Sequence, residues 1–190
     1  PKIKLNEKYQ VLKSLTKNEI SGTSNIIREF EENLANTFDR KFAVAVPNGS
    51  IALEISFEML DLNEGDEVIL PSFTIISCLS AILRKGLKPV FCDVDKNTWN
   101  MSLEDIQKVY TKNTKAILIV HTYGLTCDVK NIINFCSEKN LIIIEDAAEA
   151  HGQSFDEINC GSVGLISTLS FYANKHITAG EGGAVMMDSE

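Results

Sequence analysis

Cysteine is too sparse and too irregularly placed in this chain to staple it. Cys78, Cys92, Cys127, Cys136 and Cys160 are odd in number, lie in apolar segments or beside turns, and show no paired spacing. A zinc site or a disulfide framework needs such pairing, so both are set aside and a reducing, cytoplasmic home is expected. Basic charge is also short: 18 Lys and Arg stand against 26 Asp and Glu, for a net charge of −8. A field of that sign repels phosphate backbones and anionic lipid, so nucleic acid and membrane are not expected as partners. Any phosphate must be held locally. No apolar run approaches the roughly 18 residues that a membrane span needs, and Pro1 to Lys8 is too polar for a signal peptide. No internal repeat, low-complexity tract or linker divides the chain, so a single domain over 1–190 is expected. Nor does a Gly-x-Gly-x-x-Gly follow any strand-like run. Gly180-Glu181-Gly182-Gly183 has the wrong spacing, which weighs against a dinucleotide-binding module.

What is present is an alternation of short apolar runs and helical patterns, in a chain that is 44% hydrophobic. The runs are Ala43 to Val46, Glu67 to Leu70, Pro89 to Cys92, Ala116 to Val120, Leu141 to Ile144 and Ser167 to Phe171, with strand-like Gly183 to Met187 after them. They read as strands buried on both faces. Helices are expected near Asn25 to Phe38, Ser50 to Leu60, Ile75 to Arg84, Ser102 to Val109 and Val129 to Glu138. In the last, Val129, Ile132, Ile133 and Cys136 follow the i, i+3, i+4, i+7 rule. The fold class is therefore α/β, a three-layer sandwich around a mostly parallel sheet, with its functional crevice outside the carboxyl ends of the strands. Glu58 to Glu67 reads as a solvated acidic face, and Trp99 as packing.

Chemistry-bearing residues collect at those carboxyl ends. Asn48-Gly49-Ser50 follows the first strand and opens a helix, which suits a phosphate cradle: glycine lets backbone approach, the helix offers free amides, and Ser50 adds a hydroxyl. The same residues also make an ordinary turn and N-cap. Ser170 can supply a second hydroxyl or be structural. Asp146 ends an apolar strand, where a carboxylate is costly unless a cation meets it; a pyridinium nitrogen, an arginine or a turn to cap would each answer. Glu145 should face the other way and be structural. His121 follows a strand and can approach a ring or be packed, and Glu149 and His151 lie on the turn beyond Asp146. Lys175, on a glycine-flanked turn, completes a pair with Asp146 that pyridoxal phosphate chemistry requires: an amine to hold the cofactor aldehyde and an acid to keep the ring nitrogen protonated.

The chain resembles the large domain of the DegT-type (DegT/DnrJ/StrS) sugar aminotransferases, a branch of the fold-type I pyridoxal phosphate enzymes, and is similar to perosamine-synthase-like members. The likeness runs through Ile20-Ser21-Gly22, Arg28 to Glu31, Asn48 to Leu53, Gly65 to Thr74, Pro89 to Asp95, Thr114 to Ile117, His121 to Gly124, Glu145 to Gly152 and Ser170 to Lys175. It implies that Lys175 forms the Schiff base with pyridoxal 5'-phosphate, that Asp146 pairs with the ring nitrogen, and that Glu149 lies near the phenolic oxygen. Gly49, Ser50 and Ser170 would hold the phosphate. Ile75 stands where many relatives carry an aromatic stacked on the ring. Related dehydratases carry histidine in place of the lysine, so Lys175 implies amino transfer. The implied reaction moves an amino group from glutamate to a nucleotide-linked keto sugar, a 4-keto-6-deoxy hexose by likeness, for amino-sugar and polysaccharide biosynthesis such as lipopolysaccharide O-antigen, in a homodimer. Relatives are about twice as long and add a small C-terminal domain. Together with the opening Pro1, this leads one to expect a piece of a longer protein, with a catalytically impaired fragment or regulatory relative as the alternative.

Overall fold

The computed structural model describes residues 3–189. Its centre is a seven-stranded sheet formed by β1 (Phe42–Val46), β2 (Glu67–Pro71), β3 (Lys88–Cys92), β4 (Thr114–Val120), β5 (Ile142–Asp146), β8 (Ile166–Ser170) and β9 (Gly183–Met187), in the order β1-β9-β8-β5-β4-β2-β3. Only β9 runs against its neighbours, since it pairs antiparallel with both β1 and β8 while the remaining pairs are parallel. A two-stranded hairpin, β6 (Ser154–Phe155) with β7 (Ile158–Asn159), stands apart from the sheet.

The pleat of each central strand divides its side chains between two helical layers. Val68, Leu70, Ala116, Leu118 and Ile144 pack with α3 (Gly49–Glu58) and α4 (Ile76–Arg84), where Leu53, Phe57 and Ile82 are buried. Ile69, Ile117, Ile119 and Ile143 point the other way, toward α5 (Leu103–Val109) and α6 (Val129–Lys139), meeting Ile106, Ile132 and Phe135. A third cluster forms where α2 (Asn25–Thr37) lays Leu34 and Ala35 over β1, β8 and β9. Full burial of a side chain such as Phe57 contributes about 2–3 kcal/mol, which is why these runs remain strands and helices in this arrangement.

Local signals set the helix starts. The Asn48 side chain accepts from the Ile51 amide at 2.9 Å, and Ser102 accepts from the Asp105 amide at 3.1 Å. At the other end of α6, Asn140 takes the left-handed conformation that stops the helix.

Some expectations change. β1 and β3 are the sheet edges rather than strands buried on both faces, so Val44 and Phe91 are exposed. Glu67 is not part of a solvated face: it is buried, paired with Lys88 at 3.0 Å and bonded to Thr111 from a neighbouring segment. A helix missing from the sequence reading, α1 (Leu5–Thr16), buries none of its residues. No helix among the described residues is long and apolar enough to cross a membrane.

Candidate active site

β5 carries two adjacent carboxylates to opposite faces of the sheet. Glu145 follows Ile143 toward α6 and Asp146 follows Ile144 toward α4, as strand alternation demands. Asp146 ends the strand and lines a cavity of about 310 Å³ outside the carboxyl ends of β2, β4 and β5. Thr74, Ile75, His121, Tyr123, Glu149 and Lys175 share that cavity with it. Two groups placed far apart in the chain thus converge, Lys175 from the turn after β8 and Asp146 from β5.

The Lys175 amine lies 3.0 Å from Glu149 Oε1, and its side chain is largely buried. Glu149 Oε2 accepts the Tyr123 amide at 2.8 Å, so this one carboxylate spans the turn after β4 and the lysine loop. Asp146 is differently placed. Its Oδ1 accepts the Ala148 amide at 3.0 Å and its Oδ2 takes the Cys78 thiol at 3.4 Å. Among the described residues no basic nitrogen forms an ion pair with it. Burial pushes its carboxyl above the usual aspartate range, against smaller opposing pulls from Ala148, Cys78, Lys175 and His121. A buried acid in that condition suits a cationic ring nitrogen, and the open space beside it gives such a ring room.

Gly49, Ser50 and Ser170 form a second cluster next to, but outside, the lining of this cavity. A Cβ added at Gly49 would sit 2.9 Å from Ser170 Cβ, so only glycine lets the start of α3 close onto the end of β8. Ser50 and Ser77 hydroxyls meet at 2.6 Å, joining the N-terminal turns of α3 and α4. The amides and hydroxyls gathered there make a fitting anion cradle.

Other candidates are already engaged or lie outside the cavity. His121 stands in the cavity wall, fully buried and engaged at both ring nitrogens, by Glu145 Oε1 at 3.0 Å and the Cys127 amide at 3.4 Å, which leaves it no free nitrogen for a ligand. Glu145 is structural as its parity implies: it also gathers the amides of Gly161, Val163 and Gly164 and the Ser167 hydroxyl. Burial alone would raise its carboxyl, but His121 and these donors hold it below the usual range. His151 packs on Phe171 outside the cavity, with no hydrogen-bond partner at either ring nitrogen among the described residues. His176 is exposed.

The sequence reading missed three contributors. Trp99 packs as expected, but at a half-exposed place, edge-on to Phe73 and Tyr123 at 5.6 and 5.4 Å, and both of these line the cavity. Ser77 and Cys78 were overlooked because their contacts cross from α4 to α3 and β5. Their place in the first turn of a helix that follows a strand was the available signal.

Residues 1–190 match the model of the DegT/DnrJ/EryC1/StrS aminotransferase family. The chain belongs to that family. It is 41% identical, over 190 residues, to the GDP-perosamine synthase of Escherichia coli O157:H7, covering 100% of this chain and 52% of that protein. Among solved structures, the aminotransferase from Psychrobacter cryohalolentis superposes with a TM-score of 0.94 at 38% identity, over 100% of this chain and 48% of that one. An E. coli GDP-4-keto-6-deoxy-D-mannose-3-dehydratase with bound hydrated pyridoxal phosphate gives 0.93 at 28% identity, over 100% and 50%. The chain therefore spans about half the length of the family members it matches. The family's sheet architecture, with a mostly parallel order and helices on both sides, is the one found here.

Proposed function

We propose that this chain is the pyridoxal phosphate-binding large domain of an aminotransferase that aminates a nucleotide-linked keto sugar. The observation that carries this reading is one cavity holding both the Lys175 amine and a buried Asp146 that has no ion-pair partner among the described residues. Lys175 would hold the aldehyde end of the cofactor, Asp146 would meet its ring nitrogen, and Ile75 would cover a ring face. Glu149 would sit near the phenolic oxygen. Gly49, Ser50 and Ser170 would take the phosphate with the amides of the α3 N-terminus. When bound, pyridoxal phosphate supplies an electron sink for cleavage and formation of bonds at the amine-bearing carbon.

The chain's own groups then have separable tasks. Asp146 would supply the negative charge that favours a cationic ring, and a cationic ring beside it would in turn offset the burial that raises its carboxyl. Lys175 Nζ would carry a proton between the carbons that lose and gain the amine, and Glu149 Oε1, at 3.0 Å, would steer it. The likeness to perosamine synthase supports a 4-keto-6-deoxy sugar on a nucleotide as acceptor, used in polysaccharide biosynthesis such as O-antigen assembly. Glutamate is the proposed donor, in the cytoplasm, and a homodimer the proposed working form.

The test is spectroscopic. The full-length gene product should be yellow with pyridoxal phosphate, bleach with glutamate, and recover colour with the keto-sugar acceptor, while Lys175→Ala should show no Lys-bound colour. A colourless wild type sinks the reading. A coloured protein that never bleaches with any amino donor supports instead a relative that keeps the fold without transfer.

A further inference from the structure

We infer that Cys78 is a positioning residue for Asp146: its thiol, backed by Thr74, fixes the rotation of the carboxylate and donates a hydrogen bond that favours its ionised form toward the ring nitrogen of the cofactor. This rests on the pyridoxal phosphate reading above. Cys78 is fully buried in the first turn of α4, directly behind the cavity wall. Its sulfur lies 3.4 Å from Asp146 Oδ2 and 3.2 Å from Thr74 Oγ1, and Thr74 itself lines the cavity. The three side chains make a short line, hydroxyl to sulfur to carboxylate, that joins the β2–α4 turn to the end of β5.

The direction of donation follows from chemistry. Burial, reinforced by the neighbouring Asp146 charge, pushes the Cys78 thiol well above the usual thiol range, so the sulfur keeps its proton. A thiol in that state can donate to Asp146 Oδ2 and accept from the Thr74 hydroxyl. The Ala148 amide already holds Oδ1 at 3.0 Å. With one donor on each oxygen, the carboxylate plane is fixed and one lone pair per oxygen remains for a ligand. The other charges that bear on Asp146 are Lys175 and His121, and neither side chain hydrogen-bonds its carboxylate. Loss of the thiol would leave Oδ2 without a protein donor and make Asp146 a stronger base. The proton shared with the ring nitrogen would then move toward the carboxyl group.

The test compares Cys78→Ala with Cys78→Ser in the full-length protein reconstituted with ring-nitrogen-labelled pyridoxal phosphate. Two quantities are read: the cofactor dissociation constant, and the nitrogen resonance, which reports whether the ring carries a proton. Cys78→Ala should weaken cofactor binding about three- to tenfold, the share of one hydrogen bond, and shift the resonance toward the unprotonated ring. Cys78→Ser, which restores a donor, should return both toward wild type. If Cys78→Ala does not fold, Cys78→Val fills the same space without a donor and must show the same shift. An unchanged resonance in a folded variant lacking the donor overturns this inference alone, because Lys175→Ala and the wild-type colour still report the broader reading. A wild type that takes up no cofactor overturns both.

Discussion

Glu145 and Asp146 are buried neighbours in one strand and opposites in how the fold meets their charge. Glu145 is surrounded by His121, three backbone amides and the Ser167 hydroxyl, and is held below the usual carboxylate range. Asp146 has one amide and one thiol, no ion-pair partner among the described residues, and is pushed above it. A single step along a strand separates a carboxylate whose partners the fold supplies from one that the described residues leave without an ion-pair partner. The contrast teaches that burial of an acid is not by itself a sign of function. The informative quantity is how many of its lone pairs and how much of its charge the protein leaves unmet.

The sharpest way to break this comparison is to remove the satisfied acid. Glu145→Ala should lower stability by about 3–5 kcal/mol in denaturant titrations, because it strands a buried imidazole and three amides together. If the loss is below about 1 kcal/mol, Glu145 is not the hub the geometry describes. Next in size is Asp146→Asn, which should weaken pyridoxal phosphate binding about 10- to 100-fold, the worth of a charge-assisted contact, yet leave the cofactor-free fold as stable or slightly more so. Calorimetry of the apoprotein beside cofactor titration separates the two outcomes, and a destabilised apoprotein would place Asp146 with Glu145 after all.

The pH dependence should split the pair by sign. Glu145, with a folded value below its unfolded one, stabilises the protein above the ordinary glutamate range, and that contribution should fade as pH falls through its depressed value. Asp146, with a folded value raised above the unfolded one, contributes in the opposite sense. Its share is present below the ordinary aspartate range and lost as pH rises through its elevated value. Apoprotein carrying Asp146→Asn should therefore lack that decline in melting temperature on the alkaline side, whereas wild type retains it. The smallest effect is expected at Ile75, whose exposed side chain forms part of the cavity wall. Ile75→Phe should tighten cofactor binding roughly two- to tenfold through ring stacking, and weaker binding would show that an aliphatic contact is preferred here.

The parts of this fold that could be read in the sequence are those governed by local periodicity. The apolar runs of β4 and β5 and the spacing of Val129, Ile132 and Cys136 announce buried strands and an amphipathic helix before any partner is known. α1 escaped because its apolar residues Leu5, Tyr9 and Leu12 pack on no core that would mark them as a face. The β6–β7 hairpin escaped because two-residue strands carry no measurable alternation. Glu67 was misread for a different reason: its burial depends on Lys88 and Thr111, which sequence neighbourhood does not reveal. The same division holds at the site. Lys175 and Asp146 have residue types that state their chemistry, and parity along β5 was enough to assign Glu145 to the far face. Cys78 and Ser77 act only through contacts across elements, and their place in the first turn of a helix that follows a strand is the one local mark they carry.

β9 ties these regions together. Gly183 stands opposite Val46 on one side and Ser170 on the other, with the Asn48 backbone so near that a Cβ there would lie 2.5 Å from its carbonyl carbon. The one strand that opposes the rest is thus a keystone: the turn into α3 and the end of β8 rest on its first residue. A methyl group on that residue would meet backbone rather than a side chain that could swing aside, so the approach of α3 to β8 depends on one hydrogen atom in β9.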